Sequence, residues 1–118
     1  MRVLGPTAIC WLAIATASAA YPDKPVRLIM PYPAGGSIDT AGRAIAQKLA
    51  DQFGQQIVID NRTGAGGIIG TETGARAAPD GYTLVMGGTG TLALSPHLQR
   101  NLPYDPVRDF APVTMLIA

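Results

Sequence analysis

Val26-Arg27-Leu28-Ile29-Met30-Pro31-Tyr32-Pro33-Ala34-Gly35-Gly36-Ser37 decides the fold, because an apolar strand-like run passes through a glycine turn directly into a helix start. The same grammar recurs twice. Ile57 to Asp60 (IVID) precedes Gly64-Ala65-Gly66-Gly67, and Thr83 to Met86 (TLVM) precedes Gly87-Gly88-Thr89-Gly90. The three runs, the first being Val26 to Pro31, start 31 and 26 residues apart. That is the length of a strand, a crossover helix and the return to a parallel strand. The pattern therefore predicts an α/β fold with a parallel βαβαβ core.

The intervening segments fit the crossovers. From Ser37 to Phe53 the apolar residues Ile38, Ala41, Ile45, Leu49 and Phe53 recur at helical spacing, with Arg43, Gln47, Lys48 and Asp51 mostly off that stripe. Ser37 is the expected N-cap, Asp39 adds negative charge to the first turn, and Gly54 stands where a C-cap belongs. A second helix is expected over roughly Gly67 to Ala77, where Gly70 and Gly74 suit close packing on the sheet. Pro79-Asp80-Gly81 turns the chain into the third strand. Beyond Thr91 a short helical piece is expected, followed by a turn-rich Leu102 to Pro106 and a fourth strand over Val113 to Ile117.

Outside this core lies a different kind of sequence. Residues 1–20 combine a basic start at Arg2, an apolar stretch and the small residues Thr16 to Ala20, which is the pattern of a secretory leader cut after Ala19 or Ala20. The apolar stretch is too short for a membrane span of about 20 residues. Cys10 and Trp11 both fall in that leader, so residues 21–118 contain no thiol and can form no disulfide or zinc-thiolate site. Eight basic side chains face eight acidic ones there, which leaves no electrostatic footprint for nucleic acid. A single histidine, His97, excludes a multi-histidine metal centre. No catalytic residue, metal site or cofactor is expected.

The glycine clusters carry the functional reading. In open parallel sheets ligands bind at the carboxyl ends of the strands, where all three clusters fall. Backbone approached through glycine, with free N–H groups at a helix start, suits a carboxylate or phosphate without any basic side chain. The plainer alternative is three tight turns. Asp39 reads either as a partner of the helix dipole or, functionally, as a loop organiser or an acceptor for a ligand hydroxyl or amine; Thr89 and Thr91 read as ligand donors or as caps of the third helix. Tyr32 either closes over a ligand or packs under the loop. Asn61 is expected to fix its own turn and His97 to lie on the surface, while Arg62, the one cation in a loop region, reads either as a ligand partner or as a partner of Asp60. Gly88-Thr89-Gly90-Thr91-Leu92-Ala93 matches a dinucleotide fingerprint, but four prolines interrupt the crossover that such a fingerprint requires.

The stretch from Tyr21 to Gly36, with Asp39 and Arg43, resembles the opening of the Bug-type receptors of tripartite tricarboxylate transporters. The similarity continues through Asp60-Asn61-Arg62 with Gly64 to Gly67, Pro79 to Leu84, Leu102 to Pro106, Asp109-Phe110 and Pro112-Val113. Thr63, Gly42 and Ser95 depart from the family pattern, the first two loosening the backbone. The resemblance implies a non-enzymatic periplasmic solute receptor of the type II periplasmic binding fold, which hands a small carboxylated ligand to a membrane permease. It implies a site in the loops after the first and third strands: Tyr32, Pro33, Ala34, Gly35 and Gly36 with Asp39, and Gly88, Thr89, Gly90 and Thr91. Members of the family are much longer, so residues 21–118 are expected to form the N-terminal part of the first lobe, ending at the crossover to the second. Alone, such a chain is expected to be marginally stable and to bind weakly or not at all. The competing expectations are a secreted α/β enzyme using the glycine loops for a phosphorylated or nucleotide ligand, and an inactive truncated product.

Overall fold

The computed structural model describes residues 20–116. The expected leader, its cleavage positions apart from Ala20, and the end of the expected fourth strand lie outside them. Within the described residues the chain runs β1 (Val26–Met30), α1 (Ser37–Phe53), β2 (Ile57–Asn61), a 3₁₀ turn (Ala65–Gly67), α2 (Ile68–Ala75), β3 (Thr83–Val85), a π-helical turn (Gly90–Leu94) and α3 (Ser95–Leu98). All three strands are parallel, in the order β2-β1-β3, with Leu28 aligned to both Ile59 and Leu84. The three predicted core strands and the two crossover helices are present, with strand ends displaced by up to one residue.

Alternation along β1 sends its side chains to two faces. Val26, Leu28 and Met30 form one core with Ala46 of α1, Ile57 and Met86. Gly42 makes this packing close: a β-carbon there would come within 2.6 Å of the Met30 methyl. Rather than loosening the helix, the missing side chain admits Met30. On the opposite face Ile29 is fully buried. Here α2 lies so near the sheet that a β-carbon on Gly70 would strike the Arg62 carbonyl and Pro31, and one on Gly74 would strike Val85. The tight packing expected of these two glycines is present. Eight residues of α2 do not cover that whole face, and Val58 stays exposed while Arg27 pairs with Asp60.

Two expectations are corrected. Ser37 is the first helical residue of α1 and caps nothing; Gly36 is the N-cap, without any side-chain cap bond. Asp39 supplies the missing acceptor from inside the first turn by taking the Gly35 N–H at 2.9 Å. Gly54 does close α1 in the left-handed conformation, at φ 64°. The fourth strand is not formed over Val113–Leu116. That segment is unpaired, with Val113 and Met115 largely exposed, and residues 114–116 line a cleft instead of pairing with the edge of β3.

Candidate functional site

The strand order creates the site. The chain leaves β1 through α1 towards β2, then crosses back through α2 to β3 on the other side of β1. The loops after β1 and β3 lie at the carboxyl ends of adjacent strands while the β1 connection runs away from β3 towards β2, which makes the gap between them the candidate topological switch point where open α/β sheets bind ligands. These are the two loops named from the sequence. The β2 loop lies to one side of the gap.

Asp39 organises the first loop. Its side chain is 3% exposed. One oxygen accepts from the Gly35 N–H at 2.9 Å and from Arg43 Nε at 2.8 Å, and the other accepts from Asn61 Nδ2 at 2.9 Å. Arg43, the Gly35 amide and Asn61 together hold this carboxyl well below the usual carboxylate range. Asn61 Nδ2 also donates to the Tyr32 carbonyl at 3.0 Å, while its Oδ1 accepts from Arg43 at 3.2 Å. Asn61 therefore does not merely fix its own turn, as expected from the sequence; it ties the end of β2 to the β1–α1 loop. Arg62 does pair with Asp60.

With Asp39 turned onto Gly35, no group among the described residues accepts from the N–H of Ser37, Ile38 or Asp39. A helix leaves these donors without an internal partner. Gly35 and Gly36 are exposed, and nothing within 4 Å would meet a β-carbon on Gly35. Pro33 and Ala34 are exposed beside them.

The third loop is clamped from behind. Thr91 is 1% exposed; its hydroxyl exchanges hydrogen bonds with the Gly88 backbone at 3.2–3.3 Å, and its carbonyl accepts from the Tyr104 hydroxyl at 2.6 Å. Thr91 caps neither helical piece: it lies inside the π-helical turn, whose N-cap is Thr89, and α3 has Leu94 as its N-cap, each without a side-chain cap bond. Burial raises the Tyr104 phenol above its ordinary pKa, the nearby Thr71 hydroxyl working against the shift. Tyr32 is half-buried with its hydroxyl against Gly88, and burial raises its pKa in the same way. Thr89 and Gly90 remain outward, their N–H groups free of acceptors among the described residues.

A cleft of about 620 Å³ runs between these loops and α1. Tyr32, Gly88, Thr89 and Gly90 line it with Ile38 and Met86, and among the described residues no acidic or basic side chain does. Pro33 to Gly36 form the exposed loop near it, whereas Asp39 and Thr91 stand buried behind the two loops. His97 lies on the surface outside it. Sequence reasoning missed Asn61 and Tyr104 as supports. The spacing of Asp39 and Arg43, four apart on one helix, was a readable signal for that pair.

The described residues contain no group of three or more His, Cys, Asp or Glu side chains arranged to hold a metal. No described helix is long and apolar enough to cross a membrane.

Comparison with known proteins agrees with the geometry. Residues 41–118 match the tripartite tricarboxylate transporter family receptor. Protein BugT of Bordetella pertussis is 41% identical over 92% of the chain, which spans 36% of that relative. Among solved structures, the periplasmic binding protein BugD superposes with a TM-score of 0.74 at 39% identity, over 78% of this chain and 30% of that one. MatC from Rhodopseudomonas palustris, with bound malate, superposes with a TM-score of 0.75 at 41% identity, over 79% of this chain and 32% of that one. The chain thus spans about a third of the length of these relatives, and its fold is that of part of a periplasmic binding protein lobe.

Proposed function

Because the chain belongs to the tripartite tricarboxylate transporter receptor family, we propose that it contributes the first-lobe half of a periplasmic site for a small di- or tricarboxylate, which a membrane permease then receives. The observation that carries this reading is the meeting of the β1 loop, open at Gly35, with the β3 loop, open at Gly90, at the switch point, where the N–H groups of Ser37, Ile38 and Asp39 have no acceptor among the described residues. One carboxylate is held by these N–H groups and by those of Thr89 and Gly90. Tyr32 and Ile38 flank the ligand, and Pro33 to Gly36 admit it to the backbone. No acidic side chain among the described residues lines the cleft to repel an anion. That MatC is solved with malate agrees with a carboxylated solute. Residues 1–20 act as the leader that delivers residues 21–118 to the periplasm.

Titration of the ¹⁵N-labelled chain with malate, citrate, inorganic phosphate and a nucleoside diphosphate tests this reading through the backbone amide resonances. Malate or citrate is expected to move the amides of Ser37–Asp39 and Thr89–Gly90 in a saturable way, at millimolar concentration, since a single lobe contributes half of the contacts. Saturation by phosphate or the nucleotide with no response to either carboxylate would favour the phosphoryl-binding alternative and overturn the proposal.

A further inference from the structure

A carboxylate in the first turn of α1 is an awkward neighbour for an anion site. Left to itself Asp39, at the third helical position, would repel a bound carboxylate and reach for the same N–H groups, as acidic residues at this position commonly do. Here both oxygens are committed elsewhere, to Gly35, Arg43 and Asn61. Arg43 is exposed at the protein surface and compensates the charge. Asn61 supplies direction, because its amide nitrogen faces two acceptors, the Asp39 carboxylate and the Tyr32 carbonyl, while its oxygen faces the Arg43 guanidinium. The reverse amide orientation would set oxygen against both acceptors, so the network permits one arrangement.

From this arrangement we infer that Asn61 is a positioning residue for ligand binding: it holds Asp39 onto the Gly35 amide and thereby keeps the first-turn N–H groups of α1 open to an incoming carboxylate. Asn61 lies at the end of β2 and acts through Asp39, Arg43 and the Tyr32 backbone. The β2 strand thus takes part in a site whose contacts come from the loops after β1 and β3. This inference rests on the carboxylate-binding reading for its consequence, although the positioning itself is visible without ligand.

Three proteins separate the two: the wild-type chain, N61D, and the reciprocal exchange D39N/N61D. N61D conserves volume but faces one carboxylate with another, whereas the exchange restores one donor and one acceptor between the two positions. In the absence of ligand, N61D is expected to speed hydrogen exchange at the Gly35 amide about tenfold, the size of one charge-assisted hydrogen bond. The exchange variant is expected to recover at least part of that protection. Malate-induced shifts at Ser37–Asp39 should weaken and recover in parallel. Gly35 protection unchanged in N61D, or no better in the exchange variant than in N61D, would overturn the positioning role. If Gly35 behaves as expected but no wild-type amide responds to malate or citrate, positioning stands and the carboxylate reading fails.

Discussion

The loops after β1 and β2 look alike in sequence, each a glycine cluster at the carboxyl end of a strand, yet they are built for opposite purposes. After β1, Gly35 has empty space where a side chain would be, and Gly36 has only ordinary contact with the Pro33 carbonyl. After β2, a β-carbon on Gly64 would strike Ile69, and one on Gly67 would meet Thr91 at 2.8 Å and the Pro31 carbonyl at 3.3 Å. The first loop uses glycine to leave backbone uncovered. The second uses Gly64 and Gly67 to bring α2 against the sheet and the third loop, although Gly66 between them is open in the same way as Gly35. A glycine count cannot distinguish these uses; what fills the missing side chain's place does.

The largest effect expected from that contrast is at Gly70, on the packed side. An added methyl would press on the Arg62 carbonyl and on the Pro31 Cα at 2.9 Å, both of them backbone, which cannot swing aside as a side chain can. G70A should cost about 3 kcal/mol, the upper range for overpacking. In thermal melts this would appear as a fall of roughly 10 °C or more. A melt within a few degrees of wild type would show that α2 can lift from the sheet, and the distinction between packed and open glycines would lose its basis.

Much of this molecule was legible from residue order alone. Strand-sized apolar runs at crossover spacing identified the parallel core, and α1 was bounded correctly because its stripe ends at Phe53 before Gly54, a residue that accepts φ 64° without strain. What could not be read depends on contacts between distant segments. Ser37 was the natural N-cap by residue type, but the acceptor came from Asp39, whose rotamer is fixed by Asn61 from 22 positions away. Likewise Val113 to Leu116 has strand composition, but pairing needs a strand edge beside it, and residues 114–116 instead line the cleft. The switch point itself follows from strand order, which periodicity does not encode.

A smaller effect, confined to acid, should separate the two loops by pH. The Asp39 carboxyl has a native pKa below its ordinary 3.8, chiefly through Arg43 and then the Gly35 amide and Asn61. A depressed native pKa means that the stabilisation is complete above the unfolded value and is lost as pH falls towards the native one. Protection of the Gly35 amide should therefore be level from neutral pH down to about 5 and decline below about 4. The Gly67 N–H, bonded to the Gly64 carbonyl at 3.0 Å, has no titrating partner and should hold its protection over the same interval. Hydrogen exchange at the two amides checks this, and a parallel decline would mean that acid loosens the whole lobe rather than one loop.

The smallest change in stability is expected at Gly90, and it tests the functional half of the contrast most directly. Gly90 opens the π-helical turn, lines the cleft, and would meet nothing within 4 Å if it carried a β-carbon. G90A should stabilise the chain by ~0.5–1 kcal/mol, because alanine costs less to order in a helical conformation. The same methyl would stand over the N–H groups assigned to the ligand, so the malate response at Thr89 and Gly90 should weaken as the melting temperature rises. Opposite signs for stability and binding are what an open glycine predicts and a packed glycine cannot produce, since overpacking would lower both. A stabilised G90A chain with an undiminished malate response would leave the third loop as scaffold and confine the carboxylate to the start of α1.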